Sequence, residues 1–506
     1  MRRSKKLIRI LAIVLAVLLA GGVVFSAVVG ALSEEALPAG RGARNQYELT
    51  MEYMEDEQAL HIRQRLVYIN PSDGPLDAVA FYAAGNLFRR ESALMYAPED
   101  LERVFYAGYA PAGIDLRAVS CDGAPAEYGF QGENELYVRV ACDIPAGGSC
   151  TFEFDYYLLL MNCGAFQGAG ETDVRLSAFY FVPGVYDGRY REFMLKKPLA
   201  HTRWLYCDAG DFRVELALPE GYALAGTGEA REASRQDGTV LWQLEAKDVR
   251  EFALCFGRRY RSFERKTGSG MTVRVLTNVR GAGNRALEVA VAAIEQCEAW
   301  FGPFPFPELK IAQSDYPLGA LNFPGVIWLS GELMGPSQGE AMAQKLRFCV
   351  AQQYFGLSAY VEPPADAWLS DSVSAYLSYL LLEQARGHDA FLSAINRDWV
   401  SAIQQTVPGG LRVTSDGALF DAASYDVVVL RRGAVVMHEL RQAMGLESLL
   451  AGLREFYRMG QDGHTLTEMD LVAALDAATG ESWEAFLTDW VFNVGEYAEQ
   501  FIDWFE

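Results

Sequence analysis

Histidine is scarce in this chain of 506 residues: His61, His201, His388, His438 and His464 are the five, and no two lie closer than 26 positions. A pair of imidazoles at i and i+4, the arrangement by which one helix face grips a metal, is therefore excluded everywhere. Only a metal site assembled from distant residues is left open. His438-Glu439 begins like such a helical motif, but position 442 is Gln. CxxC pairs are also missing, which excludes a zinc ribbon or a thioredoxin-type redox site. Of the eight Cys, Cys142 and Cys150 are close enough to bridge a short loop in an oxidising exterior, whereas Cys297 and Cys349 fall in helical patterns and read as buried thiols. Positive charge is in deficit, with a formal net charge of −22, which argues against nucleic acid and anionic lipid as partners. Low-complexity tracts and internal repeats are absent, which excludes a repeat solenoid.

What the chain does have is length and apolar content. At 506 residues and 51% hydrophobic it can build two or three domains with large cores. Its first nine residues carry Arg2, Arg3, Lys5, Lys6 and Arg9, followed by an uncharged run from Ile10 to Leu32. A helix over that run is about 35 Å long, against about 30 Å of bilayer core, and is longer than a signal-peptide core. The segment 1–32 is thus expected to be a cytoplasmic stub and signal anchor. That implies a single-pass protein of the cell membrane with most of the chain extracytoplasmic. The alternative is secretion after cleavage following Ala31, with Val29 and Ala31 as the small residues.

After a linker over 33–46, residues 47–265 read as β. Tyr47, Leu49, Met51 and Tyr53 alternate with polar residues, as do Phe212, Val214, Leu216 and Leu218 before the turn Pro219-Glu220-Gly221. Pro71-Ser72-Asp73-Gly74 is another turn. Strand after strand with short turns predicts an antiparallel saddle or sandwich. From 271 to 506 the pattern turns helical, with helices expected at about 284–300, 338–355, 367–386, 427–443 and 468–478. Ser337 and Glu340 have capping-box spacing at the start of the second of these, and Gly356 suits its end. The fold class is multi-domain β + α.

The second helix carries the most informative stretch, Phe348-Cys349-Val350-Ala351-Gln352-Gln353-Tyr354-Phe355-Gly356. Eighteen residues, 353 to 370, separate Gln352 from Asp371 in Trp368-Leu369-Ser370-Asp371-Ser372-Val373-Ser374-Ala375-Tyr376. These stretches resemble HExxHxWFG and WLNEGFAxY of the gluzincin aminopeptidases, the alanyl-aminopeptidase type, and share their spacing between second His and ligand Glu. The resemblance continues in Gly319-Ala320-Leu321-Asn322-Phe323-Pro324-Gly325 and Leu430-Arg431-Arg432-Gly433-Ala434. It extends to Trp300-Phe301-Gly302-Pro303-Phe304-Pro305, to Leu176–Pro183, and to the run from Leu466 to Gly495 with Trp483, Phe486 and Trp490. It covers roughly residues 45 to 500 and implies a thermolysin-like helical domain after the β half.

The same alignment implies loss of the chemistry. Phe348 and Gln352 stand at the two His positions, Cys349 at the general base, and Asp371 at the third ligand. Asn322 replaces the Glu that holds a substrate amine, and Leu430 replaces the transition-state Tyr. Catalytic zinc needs three N, O or S ligands and an open position for water. Only Asp371 remains, so these positions are vestigial, and the expectation is no cofactor where the family carries zinc. Tyr425, five residues before Leu430, reads as a buried aromatic or as a partial substitute. A membrane-anchored pseudopeptidase follows as the expected function: a peptide- or protein-binding or regulatory ectodomain without enzyme activity, whose partners are the membrane through residues 10–32 and a peptide or another membrane protein. The alternatives are an active hydrolase with a non-standard site, metal-dependent or built on Cys349, and a purely structural ectodomain.

Overall fold

Alternation builds the first half. In strand β1 (Asn45–Met54), Tyr47, Leu49, Met51 and Tyr53 are buried while Glu48 and Glu52 face solvent. The computed structural model describes residues 44–91, 95–407 and 410–493. β1 joins β2 (Ala59–Ile69), β3 (Gly113–Cys121), β4 (Ala124–Pro125), β5 (Ser149–Leu159), β6 (Gly210–Pro219), β7 (Glu229–Gln236) and β8 (Thr239–Val249) in one eight-stranded sheet. Its order is β7-β8-β6-β1-β2-β5-β3-β4. The sheet is not wholly antiparallel, as alternation cannot distinguish strand direction: β1 runs antiparallel to β2 but parallel to β6, with Tyr47 opposite Phe212. Their rings stack at 4.3 Å. A second layer contains the strands Leu76–Tyr82 and Tyr137–Ile144. Phe81 of that layer meets Phe152 and Phe154 of β5 at 5.1 and 5.3 Å, closing a sandwich. Gln64, buried inside it, both donates to and accepts from the backbone of Phe181.

A five-stranded sheet joins this half to the helices. Its strands are β9 (Arg261–Lys266), β10 (Thr272–Thr277), β11 (Glu308–Ser314), β12 (Ala320–Phe323) and β13 (Val326–Ser330), in the order β9-β10-β11-β13-β12. Side-chain alternation assigns its two faces. Val273, Val275, Ile311, Ile327 and Leu329 pack with the helical core, whereas Leu276, Ala312, Val326 and Trp328 pack with the β core. The turn between β12 and β13 requires Gly325, at φ +69°, because a Cβ there would meet the Glu308 carbonyl at 2.9 Å.

Helices α1 (Ala282–Phe301), α2 (Gly339–Tyr354), α3 (Ala367–Arg386), α4 (His388–Ile395), α5 (Gly433–Met444), α6 (Leu446–Met459) and α7 (Glu468–Thr479) form the second half. The architecture is thus a β-rich N-terminal sandwich followed by a mostly helical region. Several local expectations are corrected. Ser337 caps nothing: it sits in the 3-10 turn Pro336–Gln338, and α2 begins at Gly339 without a side-chain cap. The expected helix over 427–443 opens with a π-helical segment, Asp426–Arg432, before regular α5. α4 and α6 were not anticipated, although Leu449, Leu450, Leu453, Phe456 and Tyr457 recur at helical spacing and are buried. Cys150 bonds to Cys121 rather than Cys142, because β3 and β5 are hydrogen-bonded neighbours and place the two Cα atoms 6.6 Å apart.

The single-pass localisation is also corrected. Among the described residues no helix is long and apolar enough to cross a membrane. The longest, α1 and α3, have 20 residues each and carry charges such as Arg285, Glu288, Asp371 and Glu383. The run 10–32, on which that expectation rested, lies outside the described residues.

Candidate functional site

All seven positions singled out in the sequence line one cleft of about 590 Å³. α2 contributes Phe348, Cys349 and Gln352, and α3 contributes Asp371. β12 contributes Asn322, and the segment before α5 contributes Tyr425 and Leu430. The β half supplies His201, Thr202 and Arg203 from the chain that leads into β6. A second cavity of about 670 Å³ shares Lys345, Phe348, Asp426 and Leu430 as lining. Phe348 and Leu430 therefore stand as a partition between two spaces.

A directed chain of hydrogen bonds occupies the centre. The Gly325 N–H donates to Gln353 Oε1 at 2.9 Å, and Gln353 Nε2 donates to Asn322 Oδ1 at 2.5 Å. Asn322 Nδ2 donates to the Cys349 carbonyl at 2.8 Å and to Gln352 Oε1 at 3.3 Å. Gln352 Nε2 then donates to Asp371 Oδ1 at 2.8 Å. From the other side Tyr425 Oη donates to Asp371 Oδ2 at 2.6 Å, and it is bonded in turn to Thr202 Oγ1 at 2.9 Å. Ser370 Oγ adds a third donor to Asp371, at 3.2 Å. Three amides pass their donors in one direction and the carboxylate terminates the series. The helix geometry explains the division of labour: successive residues point about 100° apart, so Gln352 faces α3 while Gln353 faces the β12–β13 hairpin. The network ties α2, α3, that hairpin and the β half together.

Tyr425 is fully buried, and burial together with the Asp371 charge holds its hydroxyl far above its ordinary titration range. Its proton is committed to Asp371. Cys349 is buried as well. Burial pushes its thiol up to about 11, although the Lys345 and Arg203 charges pull the other way. A thiol in that state is a poor nucleophile near neutral pH. His201 is pushed down by burial and hydrogen-bonds the Gly417 carbonyl at 3.1 Å. His438 and Glu439 lie outside this cleft in the helical core, where the His438 ring packs against Phe391 and Trp399, each at 5.7 Å.

No family model matches the chain. It is 25% identical over 309 residues to aminopeptidase N of Lactococcus lactis subsp. lactis, which is 56% of this chain and 36% of that protein. It is 23% identical over 409 residues to a probable aminopeptidase 1 of Saccharolobus solfataricus, 76% of this chain and 49% of that protein. The matches thus span half or less of these relatives' lengths. The crystal structure of an M1 zinc metallopeptidase from Deinococcus radiodurans superposes with a TM-score of 0.62 at 16% identity, covering 90% of this chain and 96% of that one.

The chain resembles the aminopeptidases of this type in sequence and shares the fold of the M1 zinc metallopeptidases. The likeness overturns the expectation that no cofactor belongs here, because zinc is the metal named for the structural neighbours of this fold. The residues at the gluzincin ligand positions, however, do not fit zinc. Phe348 offers no donor atom, the Gln352 amide is engaged, and both Asp371 oxygens already accept hydrogen bonds. Elsewhere among the described residues, Cys121, Asp122 and Cys150 bring metal-ligating atoms within 4.8 Å of one another, but the two sulfurs are bonded to each other.

The gluzincin framework also shows what residue-by-residue reading missed. Gln353 was passed over, although it completes the amide series. His201, Thr202 and Arg203 carried no local signal, since they reach the cleft only through the packing of the two halves.

Proposed function

We propose that this chain is a catalytically inactive aminopeptidase-type protein that uses its cleft to bind peptides or an exposed segment of a protein. One observation carries the reading: the amide series Gln353–Asn322–Gln352 ending on Asp371 and Tyr425 fills the place where the resembled family does its chemistry. Family-type hydrolysis needs an activated water, an amine anchor and a donor to the oxyanion. Asn322 is neutral and engaged, Leu430 has no donor, and the Tyr425 proton is held by Asp371. The reading of Cys349 as a nucleophile is disfavoured by its burial and raised thiol. The cleft volume favours binding over a purely structural role, since Phe348 leaves about 590 Å³ open.

The test is an assay with amino-acid p-nitroanilides in zinc-supplemented buffer, alongside calorimetric titration with short peptides. The expected result is binding without turnover. Release of nitroaniline at a rate that scales with protein and survives repurification would overturn the proposal.

A further inference from the structure

The charges that line the cleft are unequally engaged. Asp371 accepts from three side chains, and Asp421 accepts from both the backbone and the hydroxyl of Ser424. Asp426 is paired with Arg431 at 2.6 Å. Glu251 is held in a setting that raises its carboxyl, burial acting against the nearby Arg203. The two cations differ. Lys345 Nζ rests over the Phe348 ring at 5.4 Å from its centroid and has no carboxylate within ion-pair distance among the described residues. Arg203 donates only to carbonyls, to Gly356 at 3.1 Å and to Asn322 at 3.5 Å. They come from opposite walls, Lys345 from α2 and Arg203 from the β half. Both line the cleft beside β12: a Cβ at Gly319 would lie 3.9 Å from Lys345 Nζ, and Arg203 reaches the Asn322 carbonyl three residues on. At the position where the resembled family places an acidic amine anchor, this chain has the neutral Asn322, whose amide is already bonded.

We propose that the cleft selects a carboxylate, seated between Lys345 and Arg203, and so takes a peptide by an acidic group rather than by its free amine. Arg and Lys donors to a carboxylate form charge-assisted hydrogen bonds, stronger than neutral ones and strengthened further in a half-enclosed cleft. An incoming ammonium would find Asp371, Asp421 and Asp426 engaged, Asp100 3.9 Å from Arg103, and Glu251 beside the Arg203 charge. The proposal rests on the reading that the cleft binds peptides.

Calorimetry with four probes tests it: acetyl-trialanine with a free carboxylate, its C-terminal amide, the non-acetylated amide with a free amine, and an acetylated, amidated tripeptide with a central glutamate. The free acid is expected to bind about tenfold or more tighter than its amide, the size of one charged hydrogen bond. Tight binding of the glutamate peptide as well assigns the site to any carboxylate, and binding of the free acid alone assigns it to a chain terminus. Lys345→Gln should abolish the preference, while Lys345→Arg, which tests for a merely structural role, should retain it. Equal affinity for acid and amide, or preference for the free amine, overturns this proposal while leaving the binding function intact. No binding of any probe overturns both.

Discussion

Removing one hydroxyl from the centre of the cleft gives a sharp test of the hydrogen-bond series. Tyr425→Phe keeps the buried ring, which packs at 5.6 Å against Phe420, but takes the 2.6 Å donor from Asp371 Oδ2 and leaves Thr202 Oγ1 without its partner. Hydrogen bonds to charged groups contribute about 1.5–3 kcal/mol, and a buried acceptor left unpaired costs about as much. Asp371 is only 6% exposed, so water can replace little of that loss. A loss of about 2–3 kcal/mol follows. At about 2.1 cal/mol/K of unfolding entropy per residue, a unit of roughly 450 residues moves by about 1 °C for each kcal/mol, so scanning calorimetry should show a Tm lower by about 2–3 °C. The same substitution in an Asp371→Asn background should cost less than half as much, because the acceptor is then neutral and can turn its amide toward other partners. A Tm within about 0.5 °C of the parent, or an identical loss in both backgrounds, would refute the reasoning.

The buried Glu439 makes stability depend on pH. Burial raises its carboxyl from the ordinary 4.5 to about 8, so between those values the folded chain holds a proton that the unfolded chain releases, and stability falls as pH rises. Glu439→Gln should therefore gain Tm relative to the parent between pH 6.5 and about 8.5, and His438, which both chains retain, cancels from the difference; a constant difference across that window would contradict the account. Restoring the ligand set with Phe348→His, Cys349→Glu, Gln352→His and Asp371→Glu should confer zinc uptake measurable by elemental analysis after gel filtration, because the 18-residue spacer already sets the frame. Activity should lag until Asn322→Glu and Leu430→Tyr are added, with a rise of about a hundredfold or more on restoring the oxyanion donor. Equal rates in the four-fold and six-fold variants would show that these two positions do not limit the chemistry.

Much of the framework was legible because periodicity is a local signal. The alternation in β1 and β6 and the helical spacing of α1, α2, α3 and α7 each follow from which side chains one face must bury. The spacer from Gln352 to Asp371 identified two helices that meet at one point, and the hydrogen bond between those two residues lies there. What stayed hidden depends on contacts between distant segments. Tyr425 reads in sequence as a core aromatic, and it is one, but its hydroxyl reaches Asp371, 54 residues away. The disulfide partner of Cys150 was decided by strand order, which alternation does not encode. The Ser337–Glu340 spacing matched a cap, yet Pro336 starts a 3-10 turn that consumes Ser337 before α2 begins. Arg203 is the plainest case: only the packing of the two halves places it across from Lys345.

The central claim is that this cleft holds peptides without cutting them. The most direct measurement is mass spectrometry of a defined mixture of acetylated and free-amine peptides after equilibrium dialysis against the purified chain in zinc-containing buffer. Enrichment of intact peptides on the protein side, with no shortened products after prolonged incubation, is the predicted result. Stepwise loss of N-terminal residues that tracks the amount of protein, and disappears in the Tyr425→Phe or Gln352→Ala variants, would contradict it.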